Sequence, residues 1–222
     1  MNFLARTWVL AAVLSLGDHA FIGRTLSTTA AFDPASVAGL VMWYKSSGIA
    51  DATGTEITTW DDASPSGFDL VGTAGAAPYV TNSAEINGEK WLSFDGANDI
   101  LKHGLGTLAQ PTTVFALCKF DGLPAASATV MDSTNSTARM LMGITSAGAF
   151  QISGGTALSS AGSLVDTGNW VLFEATFNGS SNSQIITNAA TLQTGDAGSQ
   201  AANGLFIGQR QAGARYLDGG LA

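Results

Sequence analysis

Two histidines, one cysteine and seventeen acidic residues supply the reactive side chains of this sequence. Glycoside hydrolysis needs two carboxyl groups flanking the scissile bond. Here Glu85 and Glu89 only flank a turn at Asn87-Gly88, and Glu174 stands alone on its strand. A nucleophilic triad would have to draw on His19 or His103, and neither lies near a strained nucleophile elbow. Both read as solvated, His103 in a loop beside Gly104. Cys118 follows Phe115 and Leu117 in an apolar strand and reads as buried and inert, since a reactive thiol needs an electropositive, partly exposed setting. No catalytic activity is expected.

Binding chemistry has better material. Calcium takes about six to eight oxygens, several of them carboxylate. Asp95, Asn98 and Asp99 crowd one turn and offer part of such a shell. An Asp-capped turn without metal is the alternative, because Asp and Asn fasten turns through their own side chains. Trp43, Tyr44, Trp60, Trp91 and Trp170 lie on strands or at strand ends, where packing into a core is the default. A sugar platform needs an exposed ring with polar neighbours. Trp60 and Tyr44 are the candidates, because polar loops adjoin them.

The elements that position these residues are strands. In Trp91-Leu92-Ser93-Phe94-Asp95, a period of two sends Trp91, Ser93 and Asp95 to one face and Leu92 and Phe94 to the other. Asp95-Gly96 breaks this strand, and Leu101 resumes an apolar pattern. Pro34 opens a helical turn that Asp33 or Ser36 can cap. Further strands are expected at 39–45, 57–60, 112–120, 128–132, 139–144, 150–152, 170–177, 184–187, 205–208 and 215–222, with a hairpin turn at Asn178-Gly179. No stretch after residue 40 shows a helical period.

A chain of 222 residues suits one all-β domain with a tail. The single cysteine excludes an internal disulfide. Nine basic residues stand against seventeen acidic ones, for a net charge of −8, and no Lys/Arg cluster occurs along the sequence. Non-specific nucleic-acid binding, which rests on several phosphate contacts, is therefore not expected. Arg6 precedes an apolar run over residues 7–16, too short to span a bilayer but of the length of a signal-peptide core. Residues 1–31 are read as a leader and linker, either a cleaved signal peptide or an attachment segment, and residues 32–222 as the domain.

From about residue 37 onward the chain resembles the concanavalin A-like lectin/glucanase superfamily, and within it the laminin G-like jelly-roll domains. Leu40-Val41-Met42-Trp43-Tyr44 looks like the opening strand. Trp60-Asp61-Asp62-Ala63-Ser64-Pro65-Ser66-Gly67-Phe68-Asp69 is similar to the family's Trp-x-Asp-x-Ser-Gly-Asn-Gly turn, with Pro65-Ser66 in place of Gly-Asn. Trp91–Asp99 is similar to its Phe-Asp-Gly-x-x-Asp corner. Residues 170–179, 204–208 and 217–222 look like its closing strands. The resemblance implies an all-β jelly-roll β-sandwich of two antiparallel sheets, here lacking a final strand. The Glu-x-Asp-x-(x)-Glu strand of the family's glucanases is missing, and calcium becomes plausible. The expected function is a non-catalytic glycan-binding or adhesion module of a bacterial surface or phage particle, secreted or on a virion, whose partner is a glycan or a host-surface protein. The alternative is a structural spacer or virion-decoration domain recruited by residues 1–30.

Overall fold

The computed structural model describes residues 33–135, 137–211 and 213–222, and the backbone of residues 6–7 and 9–10. The rest of the expected leader, with His19, lies outside the described residues. In chain order the strands are β1 (Arg6–Thr7), β2 (Val9–Leu10), β3 (Trp43–Ile49), β4 (Thr59–Asp62), β5 (Leu70–Gly72), β6 (Tyr79–Asn82), β7 (Lys90–Asp95), β8 (Leu101–Leu108), β9 (Thr112–Phe120), β10 (Ser127–Asp132), β11 (Leu141–Thr145), β12 (Phe150–Ser153), β13 (Ala157–Ser159), β14 (Trp170–Phe177), β15 (Ser183–Thr187), β16 (Ala190–Gly195), β17 (Ala202–Ile207) and β18 (Asp218–Leu221).

They build the expected sandwich of two antiparallel sheets, of nine and seven strands. One sheet runs β3–β4–β5–β8–β17–β10–β11–β12–β13. The other runs β6–β7–β18–β9–β14–β15–β16. β18 pairs with β7 on one edge and with Cys118 to Phe120 of β9 on the other. Beside the remaining half of β9, β1 and β2 pair in parallel, with Arg6 opposite Thr112 and Leu10 opposite Ala116, and β2 also meets β3.

The period of two sets which face each strand buries. Leu92 and Phe94 of β7, Val114, Ala116, Cys118 and Phe120 of β9, and Phe173, Ala175 and Phe177 of β14 point into the core. Leu70, Leu101, Val130, Met142, Ile152 and Ile207 meet them from the opposite sheet. Phe150 ties the layers together, edge-on to Phe173 at 4.9 Å and to Phe120 at 6.4 Å between ring centroids. Before the sandwich, Asp33 caps the short 3-10 turn Pro34–Ser36 by accepting the Ala35 amide at 3.0 Å. Several strand bounds differ from the sequence reading, and β13 and β16 were not expected. The first strand of the domain starts at Trp43 rather than Gly39, and His103 lies within β8 rather than in a loop.

Candidate functional site

Where β7 and β18 run out together, Asp95 stands opposite Asp218. Gly96 turns the chain away there at φ 72°, and its amide donates to the Leu217 carbonyl at 2.9 Å. A Cβ on Gly96 would sit 2.9 Å from the Asp218 Cβ, so the close approach requires glycine. The Asp121 amide donates to the Asp218 carbonyl at 3.0 Å and brings the end of β9 to the same rim. Leu123 to Ser127, Arg215 and Tyr216 complete the lining. The resulting cleft has a volume of about 350 Å³. Burial raises the Asp218 carboxyl above its ordinary range, and Asp121 and Asp95 add to the effect. The cleft thus holds carboxylates, a guanidinium and a phenol ring on one open concavity.

Beneath it, the residues expected to bind calcium serve as fasteners. Asp95 Oδ1 accepts the amides of Ala97 at 2.8 Å and Asn98 at 3.3 Å. Asp99 is turned inward, and its Oδ2 accepts the Asp95 amide at 2.8 Å. Asn98 Nδ2 donates to the Gly75 carbonyl at 3.0 Å. Asp95 and Asp99 thus fasten the turn itself, and Asn98 ties it to Gly75. Among the described residues no group of three or more His, Cys, Asp or Glu is arranged to hold a metal ion.

Trp60 and Tyr44, expected as an exposed platform, are in the core at 0% and 1% exposure. Their rings pack 5.6 Å apart, Trp60 Nε1 donates to the Lys45 carbonyl at 2.9 Å, and the Tyr44 hydroxyl donates to the Phe68 carbonyl. The polar loop that suggested exposure folds over them because Asp62 gathers it. Its Oδ1 accepts the Trp43 and Ser64 amides, and its Oδ2 accepts the Ser64 hydroxyl and the Phe68 amide. Burial, with Asp62 and Asp69 nearby, drives the Tyr44 phenol strongly upward, so it stays protonated.

Trp91 and Trp170 lie on the outer face of the second sheet, edge to face at 5.4 Å and 89°. Both rings rest on Gly220, where an added Cβ would come within 2.8 Å of each. Together with Ile86, Leu117 and Ala222 they form a small apolar cluster, and Trp170 Nε1 donates to Glu85 at 3.1 Å. This clamps the 3-10 turn Ala84–Ile86 onto the sheet. His103 is spent structurally as well, its Nδ1 2.8 Å from the Asp69 carbonyl and its ring against Phe68. Cys118 is enclosed, and burial pushes its thiol up, away from reactivity.

No family model matches the chain, and no curated protein matches it. Solved structures do. Domain 4 of AbnA, an extracellular arabinanase from Geobacillus stearothermophilus solved with arabinotriose, is 11% identical over 72% of this chain and 83% of its own, with a TM-score of 0.52. The Trypanosoma rangeli sialidase, solved with sialic acid, is 12% identical over 78% of this chain and 28% of its own, with a TM-score of 0.53. A heptameric pentraxin from Limulus polyphemus is 17% identical over 59% of this chain and 71% of its own, with a TM-score of 0.44. The fold is the expected jelly-roll β-sandwich, shared with the arabinanase domain and the sialidase. Within this jelly roll, sequence reasoning located one wall of the cleft through Asp95 and missed Asp218, Arg215 and Tyr216. The closing segment around residue 218 was legible as a strand, but its register against Asp95 is set by long-range pairing.

Proposed function

We propose that the chain is a non-catalytic glycan-binding module and that the rim cleft is its site. The observation that carries this is the convergence of Asp95, Asp218, Arg215 and Tyr216 on one open cleft of about 350 Å³. Small-molecule sites are concavities with a few converging polar groups. Carboxylates accept from sugar hydroxyls, a guanidinium donates to them, and an aromatic ring covers the apolar face of a pyranose or furanose. The arabinotriose bound by the arabinanase domain, which shares this fold, supports the ligand class. Low charge content, 12% of residues, and a net charge of −8 suit a module that works outside the cytoplasm, on a cell surface or a particle.

The test is a glycan array followed by titration calorimetry, each with and without calcium. Tyr216→Ala and Asp218→Asn should each weaken binding at least about tenfold while the melting temperature stays close to wild type. No reducing sugar should appear on prolonged incubation with bound glycans. Silence across the array at high protein concentration would overturn the reading and leave the structural-spacer role. Release of reducing ends, lost in Asp218→Asn, would instead make the opposed pair Asp95 and Asp218 catalytic.

A further inference from the structure

The sequence has no basic cluster, but the fold makes one. Asp132 is fully buried, and its carboxylate is saturated. Oδ1 accepts from Arg139 Nε at 2.8 Å and from the Ser133 amide at 2.9 Å; Oδ2 accepts from Arg139 Nη2 at 2.9 Å and from the Gln211 amide at 3.0 Å. A carboxylate offers about four acceptor positions, so none is left for another cation. The Gln211 bond nevertheless anchors the β17–β18 connection beside Arg139. Arg210 precedes Gln211, and its amide donates to the Ala214 carbonyl at 3.1 Å, closing a narrow loop that brings Arg215 back to Arg210. The Thr129 amide donates to the Arg215 carbonyl at 3.0 Å, which pins the loop to β10.

Three of the nine basic residues therefore share one neighbourhood, and its buried carboxylate, Asp132, is fully engaged. Among the described residues the ion pairs are Lys119 with Glu85 and Asp121, and Arg139 with Asp132; Arg210 and Arg215 take part in none. The Arg210 guanidinium is held below its ordinary pKa by burial and by repulsion from Arg139 and Arg215, with Asp132 only partly compensating. Arg215 holds φ 61°, a left-handed conformation uncommon for such a residue, and lines the cleft together with Asp95 and Asp218. Three like charges around one saturated buried carboxylate leave Arg210 and Arg215 free to bind an oxyanion, which guanidinium groups hold through paired, charge-assisted hydrogen bonds.

We propose that Arg210 and Arg215, backed by Arg139, bind the carboxylate or sulfate substituent of an acidic polysaccharide whose sugar ring occupies the neighbouring cleft. This rests on the glycan reading of that cleft and narrows it. Asp95 and Asp218 take hydroxyls, and Arg215, which lines the cleft with them, joins it to the arginine group that takes the acidic substituent, so the two together orient one sugar.

The test uses Arg210→Gln and Arg210→Lys, at a side chain that makes no hydrogen bond of its own among the described residues. Sodium sulfate should raise the melting temperature of wild type by several degrees more than sodium chloride of equal ionic strength, and this excess should vanish in Arg210→Gln. Polygalacturonate and a sulfated galactan should bind wild type at least tenfold more tightly than Arg210→Gln, with partial recovery in Arg210→Lys. Neutral arabinan and galactan should bind both alike. Equal sulfate shifts in wild type and Arg210→Gln, with equal affinity for the acidic polymers, would overturn the proposal. If neutral glycans still bind in that case, the cleft reading survives alone. Sulfate protection without binding of any polysaccharide would overturn the glycan assignment of both the cleft and the arginine group.

Discussion

Asp99 is 4% exposed, and burial lifts its carboxyl from 3.8 to about 6, with repulsion from Asp95 and Glu56 adding to the effect and the Asp95 amide opposing it. The folded chain then holds this proton more tightly than the unfolded chain. Its contribution to stability is complete below about pH 4 and is lost as pH rises through about 6. Melting temperature measured against pH should show this loss in wild type, whereas Asp99→Asn, which keeps an acceptor for the Asp95 amide, should lack it. Trp60 makes a second residue-scale prediction. Trp60→Phe removes the donor to the Lys45 carbonyl and part of the core volume, and should cost about 1–3 kcal/mol in denaturant unfolding. Glycan affinity should not change, because the ring does not reach a binding surface. Both outcomes turn on where a side chain beside a polar loop points. Aromatic and acidic residues beside a polar loop look available, but Asp62 and Asp99 turn that polarity inward onto backbone amides. Which way a side chain points from a loop is decided by hydrogen bonds across the fold, and residue type does not reveal it.

At the scale of elements, β9 and β14 were legible to the residue because both alternate over eight or nine positions rich in β-branched and aromatic side chains. β13 and β16 were not. Ala157-Leu158-Ser159 and Ala190–Gly195 carry weak intrinsic preference, and their extended form comes from the neighbours β12 and β15. β18 is the element whose composition means most. A Cβ on Gly219, at φ 147°, would lie 2.0 Å from the Lys119 carbonyl oxygen, and one on Gly220 would press on both indoles. Gly219→Ala must displace β9 backbone and should lower stability by about 1–3 kcal/mol. Gly220→Ala should instead disturb the Trp91–Trp170 pair, read as a change in tryptophan emission before any loss of fold. A wild-type emission spectrum in Gly220→Ala would show that the indoles can move aside freely.

Over the whole molecule, charge is sparse and sorted. Asp95 and Asp218 share one cleft with Arg215, Asp121 lies near enough to raise the Asp218 carboxyl, and among the described residues no helix is long and apolar enough to cross a membrane. The single thiol of Cys118 is sealed in the core, so a thiol reagent should label it only at the rate of global unfolding; fast labelling of the native protein would mean that the centre of the second sheet opens locally. The position of β18 bears on more than packing. β7 is complete at Asp95, yet the strand that joins it to β9 begins at Asp218. During synthesis the stretch between them takes on the order of ten seconds to emerge. Through that interval the nascent chain carries two half-sheets with open edges, and no early piece can settle by itself. Nascent chains halted before residue 218 should therefore remain open to protease and to chaperone capture, and release beyond β18 should end both.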